Sequence, residues 1–230
     1  MKRNAAILAL VFVFTYLPGL VFAYHVLNNS SGGGFVFIKW ENIPISFRVD
    51  GGTLQGGDGI AVIEDACDEW DGVPTARDLC GALTVLPMDI TVTNFDTLPL
   101  QDDGIIIFDE TGDILSSLGF SANTLGIGIT FSNTTTGEIT DALLILNGSI
   151  PSSKTADLLS TAVHELGHVW GLAHTAIGGI NTSNMTPGLE AISPLAIPTM
   201  FPFNIPVDDA FGRTLEEDDI AGISVLYPQG

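Results

Sequence analysis

Apolar and polar positions alternate along the first two thirds of the chain in short segments that predict β-strands. These segments are rich in Val, Ile, Thr and Phe, and clusters of Gly, Asn, Asp and Pro separate them. The predicted strands cover residues 43–49, 89–94, 104–108, 126–131 and 140–146.

Three other segments repeat apolar residues every three or four positions, which predicts helices. The first has an N-cap at Asp58 and ends at residues 71–72, the second runs from residues 151–153 to Trp170, and the third covers residues 214–227. The acidic first turn of the third suits a helix N-terminus. Strands that mostly precede the second helix indicate a mixed α/β or α+β domain.

The N-terminus has the layout of a secretory signal peptide. Lysine and arginine precede an apolar run over residues 5–17, followed by a Pro-Gly break and small residues before a cut after Ala23. A retained membrane anchor is the alternative, because residues 5–23 are nearly long enough to span a bilayer. Removal of residues 1–23 predicts a secreted, extracellular or periplasmic protein without stable membrane association. The polar, Gly-rich start of residues 24–39 predicts a flexible lead-in.

Acidic residues dominate the charge. The formal net charge is −20, and loss of the predicted signal would leave five Lys and Arg against 27 Asp and Glu. Such a surface repels nucleic acid and anionic lipid, so we expect neither as a partner. It attracts cations, calcium included.

Cys67 and Cys80 are the only cysteines. In an exported chain an even pair predicts one disulfide closing a short loop. Two free thiols are the alternative. The pair lacks the close spacing of zinc-binding cysteines, so we do not expect a Cys-ligated zinc.

Three of the four histidines lie within the stretch HELGHVWGLAH, residues 164–174. His164 and His168 are four positions apart, so on a helix both imidazoles can point at one ion. Glu165 is turned about 100° from His164 around the helix axis, where it can reach a water molecule beside the ion rather than act as a third ligand.

Gly171 predicts the end of this helix, in a left-handed turn that glycine adopts at little cost. The reversed chain would bring His174 to the same ion from another direction. Three imidazoles leave one tetrahedral position open, which is typical of catalytic zinc. Copper, cobalt and nickel also suit imidazole ligands. The alternative is a helix with solvated histidines, but the full spacing matches the specific form of the zinc motif.

With this motif the chain resembles the metzincin metalloproteases, in which a tight turn farther along places a methionine as an apolar floor beneath the three ligands. Met200 in PTMFPF is the match for that methionine, with Met185 as a weaker competitor. The segment LEEDDIAGISVLYP, residues 215–228, resembles the C-terminal helix of the matrixins. The resemblance implies an α+β zincin-like fold with a mostly parallel sheet of about five strands, three main helices and a catalytic domain over residues 40–230.

The stretch FDETGDIL, residues 108–115, resembles the calcium loop of the matrixins. The resemblance implies that Asp109 and, less clearly matched, Asp113 bind a structural Ca²⁺. The only other histidine is His25, so we do not expect the second zinc of animal matrixins.

These features predict a secreted zinc endopeptidase that hydrolyses peptide bonds of a protein or peptide substrate through a zinc-activated water, with Glu165 as general base. The resemblance implies that residues 126–131 form the strand along which the substrate lies, and that residues 201–211 form the wall of the specificity pocket. One alternative is a secreted metal-binding adhesion or interaction protein that keeps the metzincin fold without turnover. Another is an acidic calcium-binding matrix protein.

Overall fold

The computed structural model describes most of the chain from residue 26 onward. The described ranges are 26–31, 34–54, 58–98, 103–151, 157–175, 198–201 and 212–230. The predicted signal peptide, Met185 and nearly all of the predicted pocket segment lie outside them. None of the helices in these ranges is long and apolar enough to cross a membrane.

A five-stranded sheet forms the centre of the domain. Its strand order is β4-β3-β5-β7-β6, and neighbouring strands are parallel except for β6, which is antiparallel to β7. The strands are β3 (Ile45–Val49), β4 (Cys80–Val85), β5 (Gly104–Asp109), β6 (Gly126–Ser132) and β7 (Ile139–Asn147). The predicted α+β class and the mostly parallel five-stranded sheet are confirmed.

Within the described ranges, four helices accompany the sheet. They are α1 (Gly59–Asp71), the short α2 (Asp113–Ser117), α3 (Leu158–Val169) and α4 (Glu217–Leu226). The three longer helices correspond to the three predicted ones, and α2 is additional. Asp58 is the N-cap of α1 as predicted, and its carboxylate accepts a hydrogen bond from Ile60 N at 3.1 Å.

Both faces of the sheet are covered, which explains why β5 is buried along its whole length. Successive strand residues point to opposite faces. Ile106 and Phe108 belong to the core that includes the buried residues of α1, α3 and α4. Ile105 and Ile107 belong to a second core, on the other face, that includes the buried residues of α2.

A disulfide joins Cys67 on α1 to Cys80 at the start of β4, with the Cα atoms 5.8 Å apart. The predicted pairing is confirmed. The carboxylate of Asp71 accepts hydrogen bonds from the backbone N–H groups of Leu79 and Cys80 at 2.6 and 3.1 Å. The loop that the disulfide closes is therefore fixed at its end by polar contacts as well.

The predicted strand over residues 89–94 is wrong, because this segment is a loop followed by a short 3₁₀ turn at Phe95–Thr97. Side chains form hydrogen bonds with backbone groups that would pair with a neighbouring strand if this segment were in the sheet. Asn94 accepts from Thr91 N and donates to the carbonyl of Asp89, and the buried Asp50 accepts from Ile90 N.

Within the central sheet, the strand that the pattern missed is β4, in the stretch CGALTV. Glycine and alanine weaken its apolar signal, yet Gly81 is needed there, because a Cβ atom would lie 2.8 Å from Ser46 Oγ on the neighbouring strand. The predicted start of the second helix at residues 151–153 is also wrong. Helix α3 begins at Leu158, after an N-cap at Asp157 whose carboxylate accepts from Ser160 N.

The N-terminal segment contains an antiparallel hairpin where the sequence predicts a flexible lead-in. Its strands are β1 (Asn28–Ser31) and β2 (Gly34–Phe37). Its base is bonded to the rest of the domain, since Lys39 N donates to the Gly137 carbonyl at 3.0 Å and Ile139 N donates to the Lys39 carbonyl at 2.8 Å. Backbone pairing therefore ties residues 26–31 and 34–39 to the domain predicted to start at residue 40.

Candidate metal centre

Helix α3 carries His164 and Glu165 side by side and His168 one turn later, as the motif predicts. It ends at Val169 with Trp170 as its C-cap. The next residue is Gly171, whose φ of +94° lies in the left-handed region that glycine tolerates. Gly171 N donates to the His168 carbonyl and Leu172 N to the Gly167 carbonyl, which is the Schellman pattern of helix ends. The predicted reversal after Gly171 is confirmed.

The reversal brings His174 to the two histidines of α3. Its Nε2 atom lies 3.2 Å from Nε2 of His164 and 3.0 Å from Nε2 of His168. The ligand atoms of all three lie within 4.8 Å of one another. Within the described ranges, this is the one group of three or more His, Cys, Asp and Glu side chains that could hold a metal ion.

The hydrogen bonds of the Nδ1 atoms fix the orientation of two rings, so that their Nε2 atoms face His174. Nδ1 of His164 lies 2.7 Å from the Thr199 carbonyl, and Nδ1 of His168 lies 2.9 Å from the Leu172 carbonyl. A carbonyl can only accept, so each Nδ1 is the donor, and in the neutral tautomer that makes this bond the lone pair is on Nε2. In metal sites, a hydrogen bond from the ring nitrogen that does not bind the metal commonly orients the histidine in this way.

Two of the three separations between the Nε2 atoms are close to those expected around a tetrahedral ion such as zinc. Imidazole nitrogens about 2.0–2.1 Å from zinc at tetrahedral angles are about 3.3 Å apart. The observed separations of 3.0 and 3.2 Å are close to this value. A proton on Nε2 of His174 could satisfy only one of the two close contacts, so a single cation shared by all three lone pairs explains the arrangement better. The coarse prediction of a three-histidine metal site is therefore supported by the geometry, and the identity of the metal stays a prediction.

Burial favours the neutral form of two of the imidazoles, those of His168 and His174. It lowers the pKa of His168 well below its usual value, with further lowering from the neighbouring His164 and His174. It lowers the pKa of His174 to about 4, again with a contribution from His164. Because neutral imidazole is the form that binds metal, the two rings are ready for a cation at neutral pH.

Glu165 is buried beside the ligands, against β6. Burial raises the pKa of its carboxyl group, while the charge of His164 and a hydrogen bond from the Gly128 backbone act in the opposite direction. Two glycines allow this approach, since a Cβ atom on Gly128 would overlap the Glu165 carbonyl and one on Gly126 would lie 3.2 Å from Glu165 Cγ. The strand therefore lies directly against the helix at the predicted general base.

Met200 is buried against α3, as the resemblance implies for the methionine of the Met-turn. It lies so close to Gly167, the residue before His168, that a Cβ atom there would overlap Met200 Sδ. The Met200 carbonyl accepts from Thr175 N at 2.8 Å, next to His174. Met200 thus contacts the chain beside two ligands, and its role as a floor for the metal stays a prediction.

Two residues of this region were not foreseen from the sequence. Thr199 supplies the carbonyl that orients His164, and Asp219 of α4 holds the turn that carries it. The buried Asp219 carboxylate accepts hydrogen bonds from the backbone of Thr199, Met200 and Glu216 at 2.8, 3.1 and 3.0 Å. In the sequence, the acidic residues 218–219 indicated only the start of a helix. Asp219 does stabilise that start, because it forms a capping box with Glu216.

The predicted calcium ligands are near each other in sequence but have different contacts. The buried carboxylate of Asp109 accepts from Leu115 N at 2.9 Å and so stabilises the start of α2. Asp113 is exposed and accepts from the Thr111 hydroxyl at 2.9 Å. They do not belong to the metal-capable group found in the described part of the chain, and calcium binding stays a prediction.

No protein-family model matches the chain, and a search of curated proteins found no significant match. The geometry of the site is therefore the evidence for what it does.

Proposed function

We propose that the protein is a secreted zinc-dependent endopeptidase of the metzincin type, similar to the matrixins, with a zincin-like fold. The observation that carries the proposal is the convergence of three imidazole Nε2 atoms, with separations of 3.0 and 3.2 Å around His174, next to the buried Glu165. Three protein ligands leave a coordination position open for a water molecule or substrate, as in catalytic zinc sites.

Zinc bound there would supply Lewis acidity that lowers the pKa of a water ligand and polarises a carbonyl group. The chain supplies the proton transfers. Glu165 would accept the proton of the attacking water and then donate it to the leaving amine. Its buried position against β6 restricts competing contacts with solvent, and the raised pKa of its carboxyl group helps it to hold the proton between the two steps.

A protein or peptide is the substrate class that the surroundings favour. Strand β6 is last in the strand order, so one of its edges is not paired with another strand of the sheet. An extended peptide can add to such an edge through main-chain hydrogen bonds. Because α3 lies against β6 at Gly128 and Glu165, a peptide on this edge would pass close to the proposed base.

The decisive experiment compares the chain that starts after Ala23 with its Glu165→Ala and His168→Ala variants. We expect one zinc per parent chain, cleavage of casein, and loss of cleavage with a chelator. Glu165→Ala should keep zinc and lose cleavage, whereas His168→Ala should lose both. Cleavage by Glu165→Ala at the parent rate would contradict the general-base role. Zinc binding without cleavage of any peptide in a library would favour the adhesion or interaction protein.

A further inference from the structure

Three consecutive carbonyl groups, of the last residue of α3 and the two residues that follow it, accept hydrogen bonds from distant parts of the chain. A helix end leaves such carbonyls without partners inside the helix, so they need donors from elsewhere. The bonds run from Trp40 Nε1 to Val169 O at 3.0 Å, from the Tyr227 hydroxyl to Trp170 O at 2.8 Å, and from Leu27 N to Gly171 O at 2.7 Å.

The base of the N-terminal hairpin lies directly over the reversal after α3. Val26 and Leu172 form an antiparallel bridge, and Ile38 N donates to the Leu27 carbonyl at 2.9 Å. The Ile38 carbonyl is so close to Gly171 that a Cβ atom there would overlap it. The hairpin therefore restricts where Gly171 and Leu172 can lie.

Leu172 connects this contact to two metal ligands. Its carbonyl orients the ring of His168 through Nδ1 at 2.9 Å, and His174 follows two residues later. His164 is held separately by the Thr199 carbonyl. A shift of Leu172 would therefore move two of the three ligand nitrogens and leave the third in place.

The Tyr227 hydroxyl links the elements around this turn. It accepts from Trp40 N at 3.0 Å and donates to the Trp170 carbonyl at 2.8 Å, and the side chain is buried. One oxygen atom thus connects the chain just after the hairpin, the end of α3 and the end of α4. Its removal would leave two buried backbone groups without this partner, which is costly.

We propose that residues 26–27 and 38–40, together with the Tyr227 hydroxyl, form a clamp that positions His168 and His174, so that metal affinity and coordination geometry depend on it. The inference rests on the metal site of the proposed function but assigns the clamp a role in positioning rather than in chemistry. Groups that orient metal ligands typically change metal affinity about 10–100-fold when they are removed.

The test uses Tyr227→Phe and Trp40→Phe, each of which removes one hydrogen-bonding group and keeps a ring in the core. Ile107→Val is the matched control, because Ile107 is fully buried in the core on the opposite face of the sheet. Zinc affinity is measured by competition with a chromophoric chelator. The visible absorption of the Co²⁺-loaded protein reports the coordination geometry, and denaturant unfolding without metal reports stability.

We expect Tyr227→Phe and Trp40→Phe to bind zinc about 10-fold or more weakly, with an altered Co²⁺ spectrum. Ile107→Val should lose comparable stability but keep parent zinc affinity and the parent spectrum. Parent affinity in both clamp variants, with stability lowered as in the control, would overturn the inference and leave the proposed function intact. A parent chain that binds no zinc would overturn both.

Discussion

Replacing Asp219 by asparagine tests whether the turn before Met200 is held in place by one buried carboxylate. Oδ2 accepts from Thr199 N at 2.8 Å and from Glu216 N at 3.0 Å, and Oδ1 accepts from Met200 N at 3.1 Å. Asparagine keeps one of these oxygens and replaces the other with an NH₂ group. At least one buried N–H must then face another donor.

The expected loss of stability follows from the number of hydrogen bonds that the Asp219 carboxylate accepts. A hydrogen bond to a charged group contributes about 1.5–3 kcal/mol, and an unsatisfied buried donor costs about 1–3 kcal/mol. We expect Asp219→Asn to lower the free energy of unfolding by about 2–4 kcal/mol. Because the Thr199 carbonyl orients His164 at 2.7 Å, zinc affinity should also fall. The expected loss is about 10-fold or more.

Asp50→Asn is the matched control. Asp50 is fully buried, and its carboxylate also accepts three backbone N–H groups, from Gly52, Ile90 and Phe108 at 2.8, 2.9 and 3.1 Å. None of these groups bonds to a histidine of the metal site. The control should therefore lose comparable stability and keep parent zinc affinity.

Two measurements separate the effects. Urea unfolding with a chelator present gives the stability of the metal-free proteins, and competition with a chromophoric chelator gives zinc affinity under folded conditions. If Asp219→Asn binds zinc as tightly as the parent, the link from Asp219 through Thr199 to His164 is refuted. Equal loss of affinity in Asp50→Asn would show that the effect is general destabilisation.

Three further predictions concern the disulfide, pH and packing. Replacing both Cys67 and Cys80 by serine opens a loop with a sequence separation of 13, which should lower the free energy of unfolding in urea by about 3 kcal/mol; an unchanged midpoint would contradict this. Without metal, burial lowers the pKa of His174 from 6.5 to about 4, so the unfolded state binds more protons in this window. Stability should fall as the pH drops from 6.5 towards 4, and a His174→Asn variant with the same pH dependence would show that other groups cause it. Gly167→Ala would displace Met200, so we expect a loss of about 1–3 kcal/mol in urea unfolding together with weaker zinc binding; parent values for both would mean that the turn relaxes freely.

Apolar spacing was sufficient to predict most of the fold. Strands β3, β5, β6 and β7 and the three longer helices fall within a few residues of the predicted segments, apart from the start of α3. The predictions failed where side-chain contacts, which the apolar pattern does not show, decided the backbone conformation. Residues 89–94 look strand-like, but the carboxylate of Asp50 and the side chain of Asn94 take their backbone groups. Strand β4 has a weak signal because Gly81 must approach Ser46.

Local features of the chain were enough to predict which faces of α3 the histidines occupy and where that helix ends. Both properties depend only on the helical repeat and on the conformational freedom of Gly171, which are local. Tertiary structure alone decided which groups orient the ligands. The bond from His164 to Thr199 spans 35 residues and the bond from Trp40 to Tyr227 spans 187. No periodic pattern encodes such pairs, because they arise only when packing of the two cores brings separate segments together.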